Sequence, residues 1–334
     1  MNFDITRQSL PRTILYFLLM FAIFKGREYL FSPFGVLPSE ALTSLGESLC
    51  RMAYHTAWIG DVIALILVFT NAFFITRIIS RNMVYIGKTY MPATIYLLVS
   101  LGYYWTPVSL ITLAVAFFII FAIENILDSL KKRYALGPFF NASIGVGLAM
   151  ILYAPAGFFF VLVLGCLIFL RRGWRDWIIS IAGFLMPLFI YSYVHWGMGD
   201  DFLHVYHQLI SIITREVFPP EAIINAFGAW EIILGSTVVL IFILSLITFA
   251  QRKNRLRKRA VIAYNIFLGA FVISAGLFLL PCRSLAMLPL IAVPLAAAMP
   301  GYFNLRSGLI PNLLYAVLIL SFLIYNLLPI IRAI

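Results

Sequence analysis

Lys and Arg fall in six clusters along this chain, and long apolar stretches separate nearly every cluster from the next. Arg7 and Arg12 come first, then Arg77, Arg81 and Lys88, then Lys131, Lys132 and Arg133. Arg171, Arg172 and Arg175 follow, then Arg252, Lys253, Arg255, Arg257, Lys258 and Arg259, and finally the lone Arg306. Cationic loops are retained in the cytoplasm when a chain is threaded repeatedly through a bilayer. The rhythm therefore predicts an all-α fold, a polytopic transmembrane helical bundle.

Composition agrees. Hydrophobic residues make up 63% of the 334 and charged residues only 11%, against about 25% charged in soluble domains. The mean hydropathy is +1.01. Such a chain has too few charges to cover a surface facing water. Its net charge of +11 is unevenly placed: eighteen of the 24 basic residues lie in the six clusters, whereas most acids lie in the intervening loops. The excess therefore marks topology, with anionic lipid head groups as the natural partner and nucleic acid excluded. No cofactor is expected.

Spanning about 30 Å of hydrocarbon takes roughly 20 helical residues. With Pro, Gly and charge as punctuation, eleven segments emerge: 10–24, 53–76, 91–104, 108–127, 139–153, 156–170, 177–196, 230–250, 260–280, 285–302 and 310–328. Several are only about 15 residues long and must sit nearly upright or inside the bundle. The first lacks a small-x-small cleavage site and reads as a retained span. Placing the clusters inside puts the N-terminus in the cytoplasm and the C-terminus outside. The count depends most on the first and tenth segments. The whole chain, 1–334, then forms one integral membrane domain.

The hairpins 91–133 and 139–175 share an aromatic residue and Pro at the outer turn, Trp105-Thr106-Pro107 and Tyr153-Ala154-Pro155. Such a turn suits the interfacial belt. A duplicated hairpin and a chance likeness explain it equally well. Two outer loops are longer than turns. In 25–52, Ser39 reads as an N-cap, with Glu40, Ser44, Glu47, Arg51 and His55 on one helical face. In 197–229, Asp200 and Asp201 open a helix with His204, His207, Ser211 and Arg215 on its polar face, and Phe202, Tyr206, Leu209 and Ile213 on its apolar side. Pro219 and Pro220 end it. Both helices should lie on the periplasmic membrane surface.

Few residues carry chemistry. His204 and His207 are three apart, a spacing two metal ligands can share, but no motif frames them, and a solvated face accounts for them better. His195 lies near Asp200 and Asp201, where a carboxylate can tune an acid or base. Asp61 is the one acid placed within a span, about one turn below the outer boundary. It is either functional or paired with Arg51 or Arg27. Arg283, in the short outer turn Pro281-Cys282-Arg283-Ser284, and Arg27 are candidates for a lipid phosphate or for simple head-group contact. Asp128 and Lys132 are spaced as an i,i+4 pair. Arg252, Lys253, Arg255, Arg257, Lys258 and Arg259 form the strongest surface for anionic lipid or an acidic partner. Cys50 and Cys282 both fall near the outer edge, as a disulfide or as free thiols.

The stretch 125–196 carries Phe140-Asn141-Ala142-Ser143, Arg175-Asp176-Trp177 and Gly183-Phe184-Leu185-Met186-Pro187. It resembles a family of multi-pass inner-membrane proteins of Bacteroidota defined only as a domain of unknown function. The resemblance implies a cell-envelope setting and no particular activity, and Asn141 replaces the Asp of many relatives. A looser architectural likeness links the chain to GT-C-type polyprenyl-phosphate glycosyltransferases. That likeness would make Glu28, Glu47 or Asp61 the acid or base and Arg27 or Arg283 the phosphate ligand. The expected function is a non-catalytic membrane subunit or scaffold, with a membrane protein as partner. The alternatives are the GT-C-like enzyme and, third, a transporter.

Overall fold

The computed structural model describes residues 10–31, 42–55, 57–82, 84, 89–102, 107–131, 136–215, 229–305 and 309–333. These residues are helical throughout and form no strand; Leu42 and Tyr153 make one isolated bridge. In order the helices are α1 (Leu10–Phe31), α2 (Ser44–His55), α3 (Ala57–Arg81), α4 (Met91–Leu101), α5 (Pro107–Ser129) and α6 (Leu136–Leu152). A 3-10 turn (Ala154–Phe159) leads into α7 (Phe160–Phe169), followed by α8 (Trp174–Gly197), α9 (His204–Thr214) and α10 (Ala229–Arg252). Then come α11 (Lys258–Leu277), α12 (Leu288–Ala298), α13 (Pro300–Leu305) and α14 (Leu309–Ala333).

Seven segments are long and apolar enough to cross a membrane: Trp58–Arg81, Val108–Ser129, Trp174–Gly197, Ile232–Arg255, Lys258–Leu277, Leu285–Asn304 and Ile310–Leu327. Four shorter apolar helices, Thr13–Gly26, Met91–Leu101, Leu136–Leu152 and Ala154–Phe169, fall where the other expected segments lie. Burial separates the centre of the bundle from its rim. Leu285–Asn304 is 83% buried and Val108–Ser129 is 67% buried, whereas Trp174–Gly197 and Ile310–Leu327 are only 28% buried. The two central segments pack on each other, on α3 and on α4. All eleven residues of α4 are buried, so this short helix is enclosed by its neighbours, which lets it satisfy its ends without reaching both membrane surfaces. At the rim, Ile178, Leu185, Phe189 and Tyr193 of α8 stay exposed, as a lipid-facing stripe requires. Exposed apolar surface on this scale would be a liability in water.

Small residues set the closest helix approach, which in a membrane rests on packing and hydrogen bonds rather than on hydrophobic exclusion. At Gly183 a Cβ would meet Phe140 O of α6 at 2.8 Å and Phe140 Cδ2 at 2.9 Å. The G-x-L-x-P stretch thus lies where α8 meets α6, and Pro187 is itself buried there, beside Gly147 of α6. Two buried amides are hydrogen-bonded across helices. Asn71 of α3 donates to Tyr96 OH of α4 (3.0 Å) and Leu113 O of α5 (2.9 Å), and Asn326 of α14 donates to Gly102 O (2.9 Å).

Candidate functional site

Four of the six basic clusters meet at one end of the bundle through direct contacts. Arg81, at the end of α3, forks between Glu124 and Asp128 of α5, at 3.0 Å each. Asp128 also receives Lys131 at 2.6 Å. Lys132, the expected i,i+4 partner of Asp128, lies outside the described residues. Arg172 donates to Ser129 O (2.8 Å), capping a free carbonyl at the end of α5, and lies 5.8 Å over the Phe139 ring. Arg259, in the first turn of α11, donates to Asn82 Oδ1 (2.8 Å) just past α3. Separations of 43 to 177 residues in sequence are closed here. Arg7, Arg306 and the Arg12 side chain lie outside the described residues.

The segment 251–259 is shorter as a loop than its sequence suggests. Helix α10 continues to Arg252 and a 3-10 turn takes up Lys253–Arg255. Arg257 is extended, and α11 begins at Lys258. Lys253, Arg255, Arg257 and Lys258 are exposed; Arg252 and Arg259 are half-buried. The basic surface is thus a ridge between two helix ends.

The opposite end carries Glu47, Asp61, Asp200 and Asp201 together with His195, His204 and His207. Asp61, near the start of α3, is paired with Lys25 of α1 at 2.5 Å, with side chains only 26% and 11% exposed. The expected partners were Arg51 and Arg27. Arg51 instead pairs with Glu47 one turn away on α2 (2.6 Å), on the open surface. The side chains of Arg27, Glu28 and His55 lie outside the described residues, as do Ser39 and Glu40.

Helix α2 begins at Ser44, four residues after the start that an N-cap at Ser39 implies. Thr43 caps it, accepting from Gly46 N at 3.2 Å, which satisfies one of the free first-turn N–H groups. The Thr43 hydroxyl also donates to Ile151 O and Leu152 O at the end of α6. A Cβ on Gly46 would stand 2.3 Å from Leu152 O. These contacts clamp the first outer loop onto the Tyr153 turn.

Beside this clamp, Ser44 Oγ and Tyr191 OH share a hydrogen bond of 2.6 Å. The Tyr191 ring stands edge-on to His195 at 4.7 Å between centroids. His195 Nδ1 meets Asp200 Oδ2 at 2.8 Å. The His195 hydrogen bond, helped by the nearby His204, holds the Asp200 carboxyl below the usual carboxylate range. Asp200 therefore does not open α9; it closes the corner after α8. Helix α9 runs from His204 to Thr214 and ends before Pro219 and Pro220, which lie outside the described residues. Its Val205 and Leu209 pack on Ile151, Ala154 and Leu188, while His204 and His207 are exposed as expected. Among the described residues no group of three His, Cys, Asp or Glu side chains is placed to share a metal ion, so His204 and His207 gain no further ligand.

Arg283 is half-buried in the turn after α11, and the neighbouring Ser284 caps the 3-10 turn that follows by accepting from Ala286 N (3.1 Å). Cys50 and Cys282 are buried free thiols, so the disulfide alternative fails. Burial pushes the Cys282 thiol up. Three sites had no sequence-level reading: the Asn71 amide, the Ser44–Tyr191 bond and the Asn82–Arg259 contact. A lone Asn inside the apolar run 62–76 was the available signal for the first; nothing local marks the other two.

No family model, curated protein or solved structure matches the chain.

Proposed function

We propose that the chain is a non-catalytic membrane subunit or scaffold of the bacterial inner membrane, working in cell-envelope biogenesis. In this reading the four shorter apolar helices complete eleven crossings, the basic end faces the cytoplasm, and the acidic and histidine end faces the periplasm. The N-terminus is then cytoplasmic and the C-terminus periplasmic. The bacterial inner-membrane setting draws on the resemblance of the stretch 125–196.

One observation carries the functional part: Arg252, Lys253, Arg255 and Lys258 are left open, while Asp61 and Glu47, two of the three acids suited to chemistry, are engaged. Asp61 is held by Lys25 and Glu47 by Arg51. Arg252, Lys253, Arg255 and Lys258, by contrast, have no carboxylate partner among the described residues. A surface of unopposed cations beside a membrane recruits anionic head groups or an acidic partner. Engaged acids favour a structural role over the GT-C-like acid or base.

Affinity purification of the full chain from native membranes tests this. A stoichiometric membrane-protein partner, lost when Lys253, Arg255 and Lys258 are changed to Gln, is the expected result. Turnover of a polyprenyl-linked sugar by the purified chain alone would overturn it in favour of the enzyme.

A further inference from the structure

We infer that Arg259 and Asn82 frame a discrete phosphate site at the basic end, suited to the head group of an anionic phospholipid or to a free phosphate. The inference deepens the reading above and takes from it the side of the membrane on which the ridge lies.

Asn82 is nearly fully buried at the end of α3. Its Nδ2 donates to Ile78 O at 2.9 Å, which fixes the amide and leaves Oδ1 for Arg259 Nη2 at 2.8 Å. That contact positions one edge of the guanidinium. It does not neutralise it, because an amide carries no charge. The Arg259 Nε is buried and has no hydrogen-bond partner. A half-buried cation with an orphan donor is costly unless an acceptor completes it.

Among the described residues no carboxylate pairs with Arg259. The segment 251–260 contains no Asp or Glu, and Glu124 and Asp128 are already held by Arg81. Lys258 is exposed next to Arg259. Arg257, the residue before α11, makes no capping hydrogen bond from its side chain, so the first N–H groups of α11 add to the positive field. A partner that carries negative charge and offers more than one oxygen suits this planar, uncompensated fork. A phosphate monoester or diester meets both demands. Helix α3 ends and α11 begins at this level, and on the reading above this end of the bundle lies among lipid head groups.

The test is native mass spectrometry of the purified full chain, titrated with phosphatidic acid, with phosphatidylcholine and with inorganic phosphate. Wild type is expected to retain one phosphatidic acid in preference to phosphatidylcholine. Arg259→Gln and Arg259→Lys should each weaken that binding about tenfold or more, the scale of one lost hydrogen bond to a charged group. Asn82→Ala should weaken it severalfold by releasing the guanidinium. Arg175→Gln, which removes an exposed cation at the same end of the bundle but outside the ridge, should change it by less than about twofold. Competition by inorganic phosphate with the same Arg259 dependence supports the site and assigns it to phosphate itself; no competition supports it and assigns it to the lipid head group. Equal losses in Arg259→Gln and Arg175→Gln overturn the site and leave the diffuse basic surface standing. No preference for phosphatidic acid in wild type overturns both. Should Arg259→Gln fail to fold, Arg259→Lys and Asn82→Ala carry the comparison.

Discussion

Lys25 of α1 and Asp61 of α3 form an ion pair of 2.5 Å that is largely shielded from water. The pair joins the first helix to the next long one at the polar end of the bundle. A shielded pair gains Coulomb energy and pays desolvation, so its removal as a unit is mild and the loss of one partner is severe. Asp61→Asn and Lys25→Met are each expected to destabilise by about 2 kcal/mol, between the values for exposed and fully buried pairs. The double variant Lys25→Met with Asp61→Leu should lose less than the sum. Thermal unfolding in detergent measures this, and strict additivity would show that the two side chains do not act as a pair.

Gly46 is a position where a single methyl is expected to matter. Its Cβ would meet Leu152 O at 2.3 Å and Leu42 Cδ2 at 3.3 Å. Neither the Leu152 carbonyl nor the Thr43 clamp beside it can retreat freely. Gly46→Ala should cost about 1–3 kcal/mol, the range for overpacking. Cys50, fully buried one turn later on α2, should then react faster with a maleimide. Unchanged Cys50 labelling would mean that α2 is not seated on α6.

Asn71 tests the polar contacts inside the bundle. It is fully buried and bridges α3 to both α4 and α5. Hydrogen bonds between membrane helices average about 0.6 kcal/mol and reach about 1.7. Asn71→Ala removes two and leaves their acceptors facing a small void, so a loss of about 1–2 kcal/mol is expected by unfolding in detergent. A gain in stability would show that the amide is a burden at this position.

Much of this architecture is legible in the sequence because apolar length and Pro, Gly and charge punctuation are local signals. The apolar helices fall on the expected segments, and the face of α9 carrying His204 and His207 is exposed as its periodicity implies. Convergence of clusters two to five at one end follows from the same alternation. What is not legible is partner choice. Arg51 and Arg27 are the cations a linear reading offers Asp61, whereas the packing of α1 on the bundle brings Lys25 to it. The start of α2 is displaced because Thr43 is held by the far end of α6, a contact 108 residues away. Arg259 and Asn82 are 177 residues apart, and no pattern within either segment anticipates their meeting.

The His195–Asp200 contact predicts an acid-dependent corner. Because the folded state holds the Asp200 carboxyl below its ordinary value of 3.8, the contact's contribution is present above that value and is lost as pH falls below it. Hydrogen exchange of the amides at 198–204 should therefore quicken as pH drops below about 3.8, after correction for intrinsic rates. Asp200→Asn should abolish that step and leave the amides of α5 unchanged. An identical step in the variant would assign it to another group.

The account stands on the basic and polar ends lying on opposite sides of a membrane. The most direct measurement is labelling of single cysteines at Lys253 and at Asp201 with a membrane-impermeant maleimide, before and after lysis. Both native residues are exposed, and the three native cysteines are buried, which keeps the background low. In intact spheroplasts, the cysteine replacing Asp201 is expected to label and the one replacing Lys253 to label only after lysis. Labelling of both from the outside, or of the Lys253 position alone, would contradict the account.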